Sequence, residues 1–249
     1  MTLERVVGSA SPALVELTRG GLVESLHCGG VAVCAPDGEV LAALGDVTRA
    51  IFPRSAIKAL QAVPMVVSGA ADRFDFDARS LALACASHAG TERHAGLARE
   101  MLAKAGLEPS ALACGAHVPG DDEAAWALRR RGEMPTRCHN NCSGKHAGML
   151  ATAVHCGEPD AGYHRPGHPV QQRIKHVLET FSGRQIPDDD VGIDGCAAPN
   201  WALPLEGLAT AFARMGAAAA AVGRSRTPEE AAVARLMGAG WEEPFFMAG

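Results

Sequence analysis

The chain has 249 residues, of which 47% are hydrophobic, 20% charged and 4% aromatic, and its formal net charge is -5. Such a composition is typical of a globular protein with a sizeable core. With no basic run and few aromatic side chains, the chain is not expected to bind nucleic acid. With no stretch of eighteen apolar residues, it is not expected to span a membrane.

The first fifth of the chain predicts two antiparallel hairpins. Each consists of two short apolar runs that flank a turn containing glycine, which is the usual hairpin signal. The four runs are residues 13–17, 22–26, 31–34 and 40–44, and the turns are residues 19–21 and 36–38.

Helices are predicted to dominate the rest of the chain. Proline near a helix start, capping residues and glycine after a helix end mark their limits. One helix is predicted to start near Ser55, a second to run from Thr91 to Ala105, and a third to lie near 126–131. Further helices are predicted from Gly144 to His155, from Pro169 to just before Gly183, and after Leu203, where Thr227 begins a capping box. Strands followed by helices predict an α+β fold with helices packed on an antiparallel sheet. Trp201 and Trp241 are interpreted as core residues.

Ser55 and Lys58 form the first candidate site, on a helix predicted to continue through Val63 to a kink or break at Pro64. Three residues is close to one helical turn, so the two side chains share a face. Burial or a neighbouring positive charge, such as Arg54, can lower the pKa of a lysine enough for it to take a serine proton. Ser-x-x-Lys also occurs by chance as a solvated pair.

The second candidate site combines two loops. Residues 138–149 (CHNNCSGKHAGM) crowd two thiols, two imidazoles and a lysine around a helix start, and Asp194-Gly195-Cys196 forms a tight turn. Thiolates from two loops with a nitrogen or carboxylate between them make a plausible zinc site. Two buried free thiols beside a polar loop are an equally good interpretation.

The eight cysteines are scattered along the chain, and residues 1–7 lack the basic and apolar segments of a secretory signal. Reduced thiols in a cytoplasmic protein are therefore expected, with some of them available as metal ligands.

Four segments together are more specific than any one of them. They are PRSAIKALQ from Pro53, ASHAG from Ala86, NNCSGKHAGM from Asn140 and DGCAAPN from Asp194. In this order and approximate spacing they resemble the rhizobial-type L-asparaginases, the asparaginase II family, and the resemblance extends from about Leu14 to Gly249. It implies a fold like that of the serine β-lactamases and glutaminases, with an antiparallel sheet flanked by helices. It also implies hydrolysis of L-asparagine to L-aspartate and ammonia.

The resemblance also implies roles for matching residues. Ser55 corresponds to the nucleophile, Lys58 to its base and Ser87 to a second hydroxyl in the same network. Cys142, Lys145 and Cys196 correspond to the ligands of an accessory zinc ion, with Asp194 as an acidic residue beside it. Arg54, His88 and Asp194 are candidates for binding the substrate, Arg54 and His88 by holding its carboxylate or by orienting hydroxyls. For these two, a surface arginine and a structural core histidine are the alternatives. The other histidines, including His94 and His117, are interpreted as structural or exposed.

Family members are expected to form homodimers and to continue past the position of Gly249, with segments like G-R-x-D-T and K-x-G-A-E-G. The chain is therefore expected to be one asparaginase II domain, 1–249, that is C-terminally incomplete relative to the family, with an apolar sheet edge left unpaired. Two further functions stay open: an inactive family member that binds zinc or an amino acid, and a related acyl hydrolase acting on glutamine or a β-lactam. The cysteine and lysine cluster argues against the acyl hydrolase.

Overall fold

Two β-hairpins open the part of the chain that the structure, a computed structural model, describes, namely residues 11–221 and 226–248. The first pairs β1 (Ala13–Arg19) with β2 (Leu22–Cys28), and the second pairs β3 (Val31–Cys34) with β4 (Val40–Leu44), both antiparallel. The positive φ of Gly20, 56°, is one that glycine adopts without strain, so the sequence permits the tight first turn. Both predicted hairpins are confirmed. Residues 1–7, on which the signal-peptide prediction rests, lie outside the described residues.

Two more pairs of short strands connect distant parts of the chain. β5 (Ala50–Ile51) pairs with β8 (Leu203–Pro204), and β6 (Val191–Ile193) pairs with β7 (Pro199–Trp201), again antiparallel. The described strands thus form four separate two-stranded sheets. The predicted α+β class is confirmed, although no single continuous sheet is seen among these residues.

Ten helices make up nearly half of the described chain. They are α1 (Lys58–Val67), α2 (Ala70–Arg73), α3 (Ala78–Ala84), α4 (Glu92–Lys104), α5 (Asp122–Arg131), α6 (Ser143–His155), α7 (Pro169–Ser182), α8 (Leu205–Ala220), α9 (Pro228–Glu242) and α10 (Pro244–Met247). The predicted capping box at Thr227 is confirmed, because its hydroxyl accepts from the Glu230 N–H while the Glu230 carboxylate accepts from the Thr227 N–H.

Of the kink or break predicted at Pro64, the break is wrong. Helix α1 continues through Pro64 and ends three residues later, at Val67. A proline removes one backbone donor from a helix. Pro64 is itself buried, with the core residues Val63 and Met65 on either side, so packing against other helices holds this segment helical despite the lost hydrogen bond.

The core lies where α1, α3, α6 and α9 pack together, and fully buried side chains such as Leu60, Leu83 and Leu150 fill it. Two helices approach closely at Gly144, where a Cβ atom would lie 2.4 Å from the carbonyl oxygen of Leu83. This contact joins the start of α6 to the last turn of α3. The two segments that carry the candidate site residues are therefore held together.

The first hairpin lies outside this core. Its apolar side chains, including Leu17, Leu22 and Val23, are exposed. The prediction that both tryptophans belong to the core is half right, since Trp201 is 1% exposed and Trp241 is 68% exposed. No helix in residues 11–221 and 226–248 has the length and apolar character needed to cross a membrane.

Candidate active site

The first residues after β5, the N-terminus of α6 and the turn between β6 and β7 meet around a cavity of about 210 Å³. Its lining includes Arg54, Ser55, His117, Cys142, Asp194 and Cys196. This volume is below the roughly 300–1,000 Å³ of pockets for drug-sized ligands. The cavity therefore suits a ligand about as large as an amino acid.

Lys58 lies buried behind the cavity wall. Its Nζ donates to the Ala86 carbonyl at 2.5 Å, the Ser87 Oγ at 2.7 Å and the Asn141 carbonyl at 3.3 Å. Burial lowers the pKa of Lys58; the Cys142 thiol opposes this shift and Lys145 adds to it. A lysine in this environment loses its proton more readily than one in water. The structure therefore brings together Lys58 and Ser87, two of the predicted catalytic residues.

Ser55 is placed differently from the helical face that the spacing predicts. It belongs to a turn of 3-10 helix, Arg54–Ile57, that precedes α1, and its side chain is exposed at the cavity. Within the described residues no hydrogen bond joins Ser55 Oγ to Lys58 Nζ. The hydroxyl that contacts Lys58 directly is that of Ser87.

Arg54 adopts an unusual backbone conformation, with φ of 53°. Residues other than glycine, asparagine and aspartate rarely adopt this backbone conformation, so it needs support from its surroundings. The Arg54 N–H donates to the Asn200 side-chain oxygen at 3.2 Å, and Arg54 Nε lies 2.8 Å from Asp194 Oδ1. Two of the predicted substrate-binding residues, Arg54 and Asp194, thus form an ion pair at the cavity.

His88, the third predicted substrate-binding residue, is buried and is not among the residues that line the cavity. The Gly90 N–H donates to its Nδ1 at 3.1 Å, so the ring hydrogen is on Nε2 and is donated to Ser143 Oγ at 3.0 Å. Ser143 donates in turn to the Cys138 carbonyl at 2.9 Å. Burial lowers the pKa of His88 to about 3, with smaller effects from His94 and Lys58. These contacts match the alternative interpretation of His88 as a structural histidine.

The predicted metal ligands form a buried cluster. Cys142, Lys145 and Cys196 are 5%, 4% and 5% exposed, and Lys145 Nζ donates to Cys196 Sγ at 3.2 Å. A hydrogen bond between the two sulfurs raises the pKa of Cys142 and lowers that of Cys196. Burial of two negative charges side by side would be costly, so one proton stays between them.

The donor set of this cluster fits zinc. Two sulfurs and an amine nitrogen are donors that zinc accepts, and three protein ligands leave a fourth position for water or substrate. In the part of the chain that the structure describes, no group of three or more His, Cys, Asp or Glu side chains is placed to hold a metal ion. The cluster has only two such residues, because its third member is Lys145, and Asp194 Oδ2 is 4.0 Å from Cys196 Sγ.

The family model described as L-asparaginase II matches residues 15–249. The chain belongs to the L-asparaginase II family. The family membership that the four segments predict is therefore confirmed, and it indicates amidohydrolase activity on asparagine in general terms. No curated protein matches the chain.

Two residues of this L-asparaginase II family member were missed as site residues by the sequence analysis. His117, interpreted as structural or exposed, lines the cavity. His146 is fully buried, and its contact with Cys196 also lowers the pKa of that thiol. His146 could have been identified from its position next to Lys145. His117 could not, because it lies in an irregular segment with no local sequence pattern.

All eight cysteines are free, as expected for reduced thiols. Burial raises the pKa of Cys85 and of Cys114 to about 12 each, so these two thiols stay protonated and unreactive. Only Cys196 has a lowered pKa among the cysteines with a resolved shift. The thiol suited to metal binding is therefore in the cluster at the cavity.

Proposed function

We propose that the chain hydrolyses the side-chain amide of L-asparagine to L-aspartate and ammonia. The family match over residues 15–249 carries this proposal. The site supports it, because an exposed serine hydroxyl, a buried lysine with a lowered pKa and an ion pair lie around a cavity that suits an amino acid.

Ser55 is the proposed nucleophile and Lys58 the proposed base. Ser55 Oγ attacks the amide carbon, and its proton moves to Lys58 with help from the Ser87 hydroxyl. The C–N bond breaks, and the nitrogen leaves as ammonia after it takes that proton. Water then attacks the Ser55 ester, gives a proton to Lys58 and releases aspartate, and the proton returns to Ser55. General base catalysis of this kind typically contributes about 10²–10⁴-fold.

Stabilisation of the oxyanion is assigned to backbone N–H groups at the start of the Ser55 turn. Such donors contribute a few kcal/mol, on the order of 3, when they are fixed before the reaction. The bond from the Arg54 N–H to Asn200 supports this assignment, because it fixes the residue immediately before Ser55.

The Arg54–Asp194 ion pair is the proposed recognition site for the charged end of the substrate. Asparagine carries an α-carboxylate and an α-ammonium, which the guanidinium and the carboxylate respectively complement. Asp194 Oδ1 is used by Arg54 and by the Gly195 N–H, which leaves Oδ2 for an ammonium group. His88 acts in this proposal through Ser143 and the segment that carries Cys142.

Cys142, Lys145 and Cys196 are the proposed ligands of an accessory zinc ion. Ligand binding requires both sulfurs as thiolates and Lys145 as a neutral amine, so zinc uptake would release protons. A bound zinc ion would supply positive charge that helps to hold the substrate and to order the two loops.

Three finer properties are proposed for the chain because of the family resemblance. They are a serine β-lactamase-like or glutaminase-like fold, a homodimer and a cytoplasmic location. The exposed apolar side chains of the first hairpin support self-association, since unpaired sheet edges favour pairing with another chain. The eight free cysteines support a reducing compartment.

Ammonia release from L-asparagine by the full chain, beside its Ser55→Ala variant with folding confirmed in both, tests the proposal. Release by the parent alone is the expected result. No release from a folded parent would favour the second candidate, an inactive family member that binds zinc or an amino acid. The lack of a hydrogen bond between Ser55 and Lys58 in the described residues is the observation that supports this second candidate. Turnover of glutamine or a β-lactam in place of asparagine would point to the related acyl hydrolases.

A further inference from the structure

One ring nitrogen of His146 stands out in the metal-ligand cluster. His146 is 0% exposed, and among the described residues its Nε2 has no hydrogen-bond partner. The same ring lies beside Cys196, so the sulfur of that residue is a candidate acceptor. Buried polar nitrogens nearly always have a partner in native proteins, so a nitrogen left over at this place calls for an acceptor.

The hydrogen on His146 is located by its other contact. The Ala113 N–H donates to the Tyr163 hydroxyl oxygen at 2.9 Å, and Tyr163 is buried as well. The hydroxyl hydrogen of Tyr163 then needs an acceptor, and His146 Nδ1 lies 2.6 Å away. A neutral imidazole has one donor and one acceptor nitrogen. Nδ1 is the acceptor, so Nε2 carries the hydrogen on the side of Cys196.

We propose that Tyr163 and His146 are positioning residues for Cys196 in the metal site. The Tyr163 hydroxyl fixes the tautomer of His146, and His146 Nε2–H donates to the Cys196 sulfur and would orient that sulfur as a metal ligand. Hydrogen bonds of this kind to ligand atoms orient the ligand and tune its affinity for the metal. The inference rests on the zinc site of the proposed function.

The other groups around Cys196 leave this task to His146. Lys145 Nζ donates to the sulfur in the structure, but Lys145 is itself a proposed ligand. Asp194 lies 4.0 Å away and, as a carboxylate, can only accept. The Cys142 sulfur becomes a second thiolate when a metal binds and then no longer donates. His146 remains as the donor to Cys196.

The test is Zn²⁺ affinity of the metal-free full chain, measured by competition with a chromophoric chelator. We expect Tyr163→Phe to weaken the affinity by about 10–100-fold, the usual effect of losing such a partner. Thr152→Val on α6, the helix that carries His146, is the matched control, because it removes another buried hydroxyl, bonded to the Gly148 carbonyl, away from the cluster. The control should bind Zn²⁺ as the parent does. A spectrum of the Co²⁺-loaded protein should show a shifted sulfur-to-metal band in Tyr163→Phe only.

A second pair of variants keeps the inference testable should Tyr163→Phe not fold. His146→Gln keeps a side-chain donor and should retain more Zn²⁺ affinity than His146→Leu, which has none. Equal affinity of the parent, Tyr163→Phe and both His146 variants would overturn the inference while leaving the zinc site in place. A folded parent that binds no Zn²⁺ would overturn the proposed zinc site itself, and the inference with it.

Discussion

The candidate active site has two halves that differ in exposure. The hydroxyl half, Ser55, Lys58 and Ser87, presents two exposed serines around one buried lysine. The sulfur half, Cys142, Lys145 and Cys196, is buried throughout, although both cysteines reach the cavity wall. Groups that react with a ligand must be reachable, whereas groups that hold a metal are best held by their surroundings. The difference in exposure therefore supports chemistry at the hydroxyl half and a supporting role for the sulfur half.

The sharpest test of this division is Ser55→Ala. Loss of the nucleophile should reduce turnover of L-asparagine by at least about 10³-fold, as for other serine nucleophiles. Because Ser55 is exposed and no hydrogen bond among the described residues joins it to a sulfur, Zn²⁺ content and the unfolding midpoint should stay at the parent values. Parallel assays of ammonia release, metal content and denaturant unfolding check this. Near-parent turnover would mean that Ser55 is not the nucleophile.

Cys196→Ser should act on the other half. It removes the thiolate and should weaken Zn²⁺ binding by more than about 100-fold, since even a change beyond the ligands costs about 10–100-fold. If the metal is accessory, KM for asparagine should rise while kcat changes little. Steady-state kinetics with added Zn²⁺ and with a chelator would show this. A collapse of kcat at unchanged KM would instead give the sulfur half a direct part in the reaction.

His88 tests the buried contacts that support both halves, because its ring bonds to Ser143 at the start of α6. Its pKa is about 3 in the folded protein because of burial, against about 6.5 in the unfolded chain. Between these values the unfolded state binds more protons, so stability falls as pH falls from about 6.5 towards 3. The slope from this group approaches 1.4 kcal/mol per pH unit.

Urea unfolding of the parent and of His88→Gln at pH 7, 6, 5 and 4 isolates this contribution. Glutamine keeps a donor for Ser143 but does not titrate, so the difference in stability between the two proteins should change in favour of the variant as pH falls. A difference that is constant over this range would show that His88 is not held neutral.

Gly144→Ala should have the smallest effect, and it should affect both halves. The added Cβ would lie 2.4 Å from the Leu83 carbonyl oxygen, so α6 and α3 must move apart at a cost of about 1–3 kcal/mol. Gly216→Ala in α8 is the matched control, because its Cβ meets nothing within 4 Å and alanine favours helix by up to about 1 kcal/mol. The midpoint temperature of thermal unfolding, the rate of ammonia release and the Zn²⁺ content should all fall in Gly144→Ala only.

Local sequence signals predicted much of this fold. The hairpins and the capping box at Thr227 depend on residues close together in the chain, and all of them are confirmed. The break at Pro64 was wrong because the packing of α1, which sequence does not display, outweighs the proline. The prediction that Trp241 is a core residue was wrong for a similar reason, because the apolar character of a side chain does not indicate which face of a helix packs against the core.

The site was predictable in composition more than in arrangement. The family resemblance placed Lys58 with Ser87 and Lys145 with Cys196, and the structure has both contacts. The position of Ser55 away from Lys58 follows from a 3-10 turn and a left-handed Arg54, which depend on Asn200 far along the chain. His117 lies at the cavity because an irregular segment passes there. Such a segment has no periodic pattern from which the position of His117 could be predicted.

Lys58 is a member of the hydroxyl half that also touches the sulfur half. Its amine bonds to Ser87 Oγ and contacts the Cys142 thiol, and the Gly144 contact fixes the backbones on either side. Substitutions in groups that share a partner are rarely additive. The two halves should therefore show strong epistasis: a change at Cys142 should alter the effect of a change at Ser87. Relatives would then be expected to keep or replace the two sets of residues together.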